Sequence, residues 1–286
     1  MRWRTGRRSS NVEDRRGARP AMGRGLKLGG GAGIVLLVAF MLLGGDPGQL
    51  VSILEGGGAL APPVSRPTSN KPVSDEGGQF VSTVLADTED TWGALFKQHG
   101  SRYQEPRLVL YSGATTTACG YGQAATGPFY CPADSKVYLD LSFFRQLERL
   151  GAPGDFAIAY VIAHEIGHHV QNLTGTSSKV RQAQARVSTS DANALSVLTE
   201  LQADCYAGVW AHHAHKQRQV LEKGDIEEGL AAASAVGDDR LQRRAGRTVH
   251  PDSFTHGSAA QRSRWFKRGL ETGSIKACDT FAHAQR

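Results

Sequence analysis

The clearest hydrophobic pattern lies in the middle of the chain, at residues 155–175. Apolar side chains recur there every three or four positions, as on one face of a helix. They are Ile158, Val161, Ile162, Ile166 and Val170. Asp155 can cap the start of such a helix, and Gly175 can end its last turn. The pattern therefore predicts a buried amphipathic helix over this stretch.

Other stretches repeat this spacing. Residues 80–96 predict a first helix, and residues 190–210 predict a long one with a second apolar stripe. The stripe consists of Leu195, Leu198, Leu201, Cys205 and Val209. The Ala-rich run 225–237 also predicts a helix. A last helix is predicted to begin at Ser258, because Ser258 and Gln261 have the spacing of a capping box.

Two short runs predict strands rather than helices. Residues 107–111 and 136–141 are rich in Val, Leu and Tyr. A segment rich in Gly, Ala and Thr separates them, at residues 112–127. These strands and helices predict one globular domain over residues 79–286.

The central predicted helix contains His164-Glu165-Ile166-Gly167-His168. Residues four apart share a helix face, so the imidazoles of His164 and His168 can converge on one zinc ion. Glu165 would lie beside the metal without binding it, where a carboxylate can take a proton from a water that the metal activates. The motif predicts a hydrolytic zinc site. The alternative is a core helix with hydrogen-bonded, metal-free histidines.

The second long helix offers further carboxylates. Glu200 and Asp204 are four residues apart, on the face beside the apolar stripe. Glu200 can be the third zinc ligand, with a water as the fourth. Asp204 can accept a hydrogen bond from the other ring nitrogen of a ligating histidine. The alternative is a pair of exposed helix carboxylates.

Other histidines are also candidates for the site. His212, His213 and His215 are rival third ligands, but their position beside Lys216 and Arg218 at the end of a helix favours a solvated helix end instead. His256 precedes the predicted helix that begins at Ser258. From that loop it could reach the zinc site and stabilise the oxyanion formed when water attacks a carbonyl. Its alternative is a surface loop histidine.

The N-terminal region has a different composition. Residues 1–27 carry nine Lys and Arg against two acids, which predicts a solvated basic arm. Residues 28–45 are eighteen uncharged residues, which as a helix would reach roughly 27 Å. Residues 46–78 are rich in Gly, Pro and Ser and predict a flexible linker.

These N-terminal features predict how the chain meets a membrane. With the basic residues on one flank of residues 28–45, the positive-inside rule predicts a single-pass signal anchor in a cell membrane, with a cytoplasmic N-terminus and an extracytoplasmic domain. A cleaved signal peptide is the alternative. A basic arm can also bind nucleic acid, but the apolar run that follows it favours the membrane, so no nucleic-acid partner is expected.

The four cysteines favour disulfides over a second metal site, because the chain has no Cys-x-x-Cys pair and the domain is expected outside the cytoplasm. We predict that Cys119 pairs with Cys131 and that Cys205 pairs with Cys278. Four cysteines allow three connectivities, and in a cytoplasmic domain free thiols would be expected instead.

Six sequence blocks together resemble a bacterial family of neutral zinc metallopeptidases. The blocks are Cys119-Gly-Tyr-Gly, Gly127-Pro-Phe-Tyr-Cys-Pro, Val137-Tyr-Leu-Asp, His164-Glu-Ile-Gly-His-His-Val-Gln, Glu200-Leu-Gln-Ala-Asp-Cys-Tyr-Ala-Gly-Val-Trp and Ser253-Phe-Thr-His-Gly-Ser. The resemblance covers residues 79–286 and the usual N-terminal anchor. It implies a zincin-like α+β domain, mainly helical with a small sheet, preceded by one transmembrane helix.

The resemblance also assigns roles to individual residues. It implies one Zn²⁺ held by His164, His168 and Glu200, with Glu165 as the catalytic base, and it strengthens the hypothesis for His256. Gln171 and Thr174 stand where an extended metzincin motif would have Gly and His, which excludes that branch. The Glu-x-x-x-Asp pattern resembles gluzincins instead, although the insertion at residues 176–191 has no explanation.

Two functions follow from the sequence. The first is a membrane-anchored zinc metalloendopeptidase that acts on a peptide or protein. The second is a non-catalytic, membrane-tethered zinc domain that binds an envelope protein or a cell-wall component. Glu165 discriminates between them, because a binding domain has no chemical need for a carboxylate there. The sequence contains no pattern for substrate preference or oligomeric state.

Overall fold

The structure is a computed structural model that describes residues 1–17, 73–123 and 127–284. The apolar segment 28–45 and most of the expected linker lie outside these described residues. Among the residues that are described, no helix is both long and apolar enough to cross a membrane. The transmembrane helix therefore stays a prediction.

One four-stranded sheet has the strand order β1 (Val12–Asp14), β2 (Arg107–Tyr111), β6 (Lys136–Asp140) and β5 (Phe129–Cys131). The first three strands are parallel, and β5 runs antiparallel to β6 along one edge. Strands β2 and β6 are those predicted from the Val, Leu and Tyr runs. Their side chains are almost entirely buried, as expected for strands inside a sheet.

A separate hairpin consists of β3 (Ala114–Thr117) and β4 (Gly120–Gln123). The Cys119–Cys131 disulfide joins this hairpin to the edge strand β5, with the Cα atoms 5.8 Å apart. The Cys205–Cys278 disulfide joins a long helix to the C-terminal region, with the Cα atoms 5.5 Å apart. Both predicted pairings are confirmed.

Helices make up most of the described chain. They are α1 (Glu76–Gln98), α2 (Ser142–Arg149), α3 (Asp155–Leu173), α4 (Thr176–Gln184), α5 (Thr189–Arg218), α6 (Asp225–Ala235), α7 (Asp238–Arg244), α8 (Ala259–Thr272) and α9 (Thr280–Ala284). Short 3-10 turns cover Pro251–Ser253 and Ile275–Cys278. This confirms an α+β fold, mostly helical with a small sheet, while the zincin assignment stays a prediction.

Side-chain caps mark the starts of α5 and α8, whereas α3 begins after Gly154 without the side-chain cap expected from Asp155. The Ser188 side chain accepts from the Asp191 N–H at the start of α5, and the predicted capping box of Ser258 and Gln261 starts α8. Helix α5 runs eight residues beyond the predicted end at residue 210, because no Gly or Pro interrupts residues 211–218. The unexplained insertion forms α4 and the turn that leads into α5.

Helix α3 lies in the core and packs against α1, α5 and α6. At its start, Phe156 stacks on Trp210 of α5 with ring centroids 5.9 Å apart. Near its middle, Gly167 faces the backbone of Ala203, and a Cβ at Gly167 would lie only 3.0 Å from the Ala203 Cα. A glycine therefore lets α3 and α5 approach closely at the centre of the domain.

The N-terminal segment differs from the solvated arm expected over residues 1–27. Residues 1–17 belong to the same compact unit as the rest of the described chain. Strand β1 pairs with β2, and the Trp3 ring packs edge-on against Phe80 of α1 with centroids 5.3 Å apart. The solvated arm was predicted from the excess of basic residues alone. That excess does not reveal that acids of the domain pair with these basic residues. Residues 18–27 lie outside the described residues.

Candidate metal centre and cleft

Helix α3 brings the two histidines of the sequence motif together. His164 and His168 are one turn apart, and their ring centroids are 4.8 Å apart. The His164 side chain is 8% exposed and that of His168 is 19% exposed, so both rings face a largely enclosed space. The helical spacing thus places two imidazoles side by side, as the motif predicts.

Helix α5 supplies the third side chain. One carboxylate oxygen of Glu200 lies 3.1 Å from His164 Nε2, and the other lies 3.3 Å from His168 Nε2. One ligand atom from each of the three residues lies within 4.8 Å of the others. Two imidazole nitrogens and one carboxylate oxygen form the donor set of many catalytic zinc sites. The residues present therefore fit a zinc ion.

The electrostatics of this cluster favour positive charge. Burial alone would lower the pKa of His164, but the carboxylates of Asp204 and Glu200 outweigh burial and raise it to about 10. Burial would raise the pKa of Glu200, but the two imidazoles hold it well below its ordinary value. The cluster thus stabilises a cation at the point where the three ligand atoms meet.

Glu165 lines the same cleft and is 7% exposed. Burial raises the pKa of the Glu165 carboxyl, because the surroundings disfavour its charged form. A carboxylate with a raised pKa accepts a proton more readily than an exposed one. This is the property that a general base in the cleft needs.

Asp204 supports His164 from behind, as predicted. It accepts from His164 Nδ1 at 2.8 Å and is completely buried. Arg262 of α8 donates to both Asp204 oxygens, each at 2.9 Å, and the Tyr160 hydroxyl donates to one of them. This network fixes the His164 ring with Nε2 towards Glu200. Sequence reasoning missed Arg262, because a lone Arg on a distant helix gives no motif signal.

Gln171 forms a hydrogen bond with His168, a role that was not predicted from the sequence. Its Oε1 accepts from His168 Nδ1 at 2.9 Å, while its Nε2 donates to the Thr199 carbonyl at 2.7 Å and to Gln202 at 3.1 Å. Gln171 is completely buried. The signal was available in its spacing, because residues 168 and 171 share a helix face.

His256 lines the same cleft as the three ligand candidates. Asp238 holds the loop, since one of its oxygens accepts from the backbone N–H groups of Thr255, His256 and Gly257 at 2.7–3.1 Å. The other oxygen lies 3.2 Å from His256 Nδ1. This contact with Asp238 raises the pKa of His256 despite partial burial.

The rival histidines lie elsewhere. His212 bonds to the carbonyl of Leu270 at 2.9 Å, and His213 bonds to that of Gly273 at 2.8 Å. His215 lies near the C-terminal end of α5, beside Lys216. These contacts tie two of the three histidines to the C-terminal part of the fold. The structure therefore favours Glu200 as the third ligand.

The cleft has a cavity volume of about 650 Å³. One wall is the edge strand β5, where the Tyr130 hydroxyl lies 3.0 Å from His169 Nδ1 and accepts from Asn172 at 3.1 Å. Apolar side chains line much of the remaining wall, namely Phe129, Phe143, Leu150, Val161, Val236 and Leu241. The strand edge is thus fixed to α3 beside the candidate metal centre.

An α+β domain in which two neighbouring helices direct two histidines and a glutamate to one point of a cleft has the architecture of a candidate metallohydrolase. The chain belongs to the family described as "putative neutral zinc metallopeptidase", whose model matches residues 1–281. The resemblance drawn from the sequence blocks is confirmed.

Two relatives illustrate the extent of the match. The uncharacterized protein YpfJ of Escherichia coli K12 is 51% identical over 289 residues, covering 98% of this chain and 99% of that protein. The uncharacterized protein Rv2575 of Mycobacterium tuberculosis H37Rv is 41% identical over 257 residues, covering 85% of each. No solved structure matches the chain.

Proposed function

We propose that this protein is a zinc-dependent endopeptidase. The observation that carries the proposal is the convergence of His164, His168 and Glu200, whose ligand atoms lie within 4.8 Å of one another, in a cleft that Glu165 also lines. The family to which the chain belongs supports zinc and peptide hydrolysis.

His164 and His168 would hold the metal through their Nε2 atoms, and Glu200 through its carboxylate. When bound there, Zn²⁺ supplies Lewis-acid activation of a water and of the carbonyl that the water attacks. Asp204 and Gln171 keep the Nδ1 hydrogens of the two imidazoles engaged, which leaves both Nε2 lone pairs available to the metal.

Glu165 takes the proton from the attacking water and passes it to the leaving amine. Its burial raises the pKa of the carboxyl, which makes proton transfer in both directions easier near neutral pH. A non-catalytic zinc domain would not need this carboxylate in the cleft.

His256 stabilises the negative charge that develops on the attacked carbonyl oxygen. Asp238 favours the protonated imidazole, which then has a hydrogen to donate from the ring nitrogen that does not face Asp238. A donor already oriented before the reaction lowers the barrier more than a mobile one.

Strand β5 supplies the binding edge for an extended peptide. A peptide that adds to this edge exchanges backbone hydrogen bonds with it, which requires no particular side chain. Tyr130 ties the strand to α3 through His169 and Asn172, so the edge keeps its distance from the metal centre.

The test uses the full-length protein, because residues 1–17 are part of the fold. Wild type and Glu165→Gln are compared for zinc content and for cleavage of an unbiased peptide mixture followed by mass spectrometry. We expect about one zinc per chain in both proteins, and a loss of cleavage of at least about 100-fold in Glu165→Gln.

Glu227→Gln is the matched control, because Glu227 is an exposed glutamate on α6. It should bind zinc and cleave like the wild type. Cleavage by Glu165→Gln at the wild-type rate would exclude Glu165 as the base. Zinc binding by all three proteins with no cleavage of any peptide would favour the binding domain over the peptidase.

A further inference from the structure

The N-terminal segment, residues 1–17, is built into the sheet of the domain. Val12, Glu13 and Asp14 pair in parallel register with β2. The Leu108 N–H donates to the Asn11 carbonyl at 2.9 Å, and the Arg15 N–H donates to the Leu110 carbonyl at 2.8 Å. The segment thus satisfies backbone groups at an edge of β2 that would otherwise be open.

A buried carboxylate on α1 depends on the same segment. Glu89 is 3% exposed, and it accepts from Arg7 at 2.8 Å, from Ser9 at 2.6 Å and from Asn11 at 2.8 Å. A buried carboxylate is costly unless such partners are present. Residues 7–11 therefore supply the hydrogen-bond donors that the buried Glu89 carboxylate requires.

The basic residues of the segment also meet acids of the domain. Arg7 pairs with Asp90 at 2.8 Å, and Arg16 pairs with Asp75 at 2.6 Å. These pairs are partly exposed, so each contributes little to stability. Part of the positive charge that would flank a membrane anchor is thus paired with acids of the domain itself.

The contacts constrain how the chain meets a membrane. Direct hydrogen bonds join residues 1–17 to the domain, such as Ser9 Oγ to Glu89 at 2.6 Å and the Leu108 N–H to the Asn11 carbonyl at 2.9 Å, whereas the hydrocarbon core of a bilayer is about 30 Å thick. In the sequence, residues 28–45 lie between the N-terminal segment, residues 1–17, and the domain. If residues 28–45 crossed the membrane once, residues 1–17 and the domain would lie on opposite sides of it. The hydrogen bonds between them could then not form.

We propose that residues 1–17 and 73–284 lie on the same side of the membrane, so that the chain between them crosses it an even number of times or not at all. This differs from the single-pass anchor that the sequence predicts, because that prediction weighs an apolar run and its flanking charges and contains no tertiary contact. The proposal does not depend on peptidase activity.

The family match includes both parts of the chain. The family model covers residues 1–281, and the E. coli relative aligns over 98% of the chain, so neither match is limited to the domain that begins near residue 79. The similarity to the family therefore extends over the N-terminal residues as well as over the candidate metal centre.

The test compares the accessibility of two single cysteines in the full-length protein. Ser10→Cys probes the N-terminal segment and Val187→Cys probes the domain, both at exposed positions. Each variant is labelled with a membrane-impermeant maleimide in sealed vesicles of known orientation, with and without detergent. In the residues that the structure describes, no cysteine is free, so the wild-type chain provides the background.

We expect the two sites to label alike, both before detergent or both only after it. If one site labels in sealed vesicles and the other only after detergent, the proposal is wrong and the single-pass anchor is correct. Arg4→Cys is a second N-terminal probe, since the Arg4 side chain is 70% exposed, and it must agree with Ser10→Cys.

Discussion

At the scale of single residues, the two histidines of the candidate metal centre have different hydrogen-bond partners. His164 donates a hydrogen bond to the carboxylate of Asp204, which also accepts from Arg262. His168 donates a hydrogen bond to Gln171, an uncharged amide that in turn donates to the carbonyl of Thr199. A carboxylate increases the basicity of its imidazole more than an amide does. The amide therefore acts mainly by orienting the His168 ring.

This difference predicts the effect of replacing Gln171. Gln171→Met keeps the length of the side chain but removes the acceptor for His168 Nδ1, so the ring loses its orientation. We expect zinc affinity to fall about 10–100-fold. Competition with a chromophoric chelator measures the affinity, and denaturant unfolding of the metal-free protein shows whether the fold survives.

Gln182→Ala is the control, since Gln182 is exposed on α4 and bonds only to Ser178 among the contacts described. It should bind zinc like the wild type. Equal affinities for Gln171→Met and the control would mean that the orientation of His168 does not need Gln171.

A second prediction concerns pH. Contact with Asp238 raises the pKa of His256, so the ring stays protonated to higher pH than an isolated histidine and deprotonates as pH rises through that raised value. The proposed peptidase activity should fall over that range, because the neutral ring donates less strongly to an oxyanion. Asp238→Asn should shift the basic limb of the kcat/KM profile to lower pH.

Asp252→Asn provides the comparison, because Asp252 is an exposed carboxylate on the same loop. Its profile should overlay that of the wild type. A basic limb that stays in place in Asp238→Asn would show that His256 is not the group that titrates.

At the scale of elements, the geometry of the candidate metal centre depends on the distance between α3 and α5. Gly167→Ala would place a Cβ 3.0 Å from backbone atoms of Ala203, which the structure accommodates only by moving the helices apart. We expect a loss of about 1–3 kcal/mol in the free energy of unfolding, together with weaker zinc binding. Denaturant unfolding and chelator competition measure the two effects.

Gly93→Ala is matched to this variant, because Gly93 also lies within a helix but a Cβ there would meet nothing within 4 Å. It should leave stability unchanged or increase it by up to about 1 kcal/mol. If the two substitutions had the same effect, close approach at Gly167 would not be the reason for the glycine.

The helices that build the site could be predicted because each carries a local signal. The apolar spacing of residues 155–175 and the capping box at Ser258 depend only on neighbouring residues. Glu200 and Asp204 followed from their spacing on a predicted helix. Arg262 could not be predicted, because its role arises from α8 packing on α5, a contact between distant parts of the chain.

Strand β1 shows the same limit more sharply. It is three residues long, two of them acidic, and neither its length nor its composition predicts a strand. It exists because β2 offers an open edge and because Arg15 and Lys136 pair with Glu13 at 2.8 and 3.0 Å. The solvated arm was the reasonable expectation from charge alone, and tertiary contacts replaced it.

At the scale of the whole molecule, the N-terminal segment should contribute measurably to stability. Trp3 is 6% exposed and packs on Phe80 in the core, so Trp3→Ala should cost about 3 kcal/mol in the free energy of unfolding. Denaturant unfolding of the full-length chain is the measurement.

Arg2→Ala, in contrast, removes a side chain that is 62% exposed and should cost less than about 1 kcal/mol. A Trp3→Ala protein as stable as this control would contradict the docking of residues 1–17 on the domain.

The pairing of β1 with β2 also sets an order of events during synthesis. Val12 leaves the ribosome long before its partner Leu108. At about 5–20 residues per second, the wait is about 5–20 s. During that time the first strand has no sheet to join, while the apolar residues 28–45 have already emerged. A chaperone or targeting factor that acts in this interval therefore competes with the completion of the sheet.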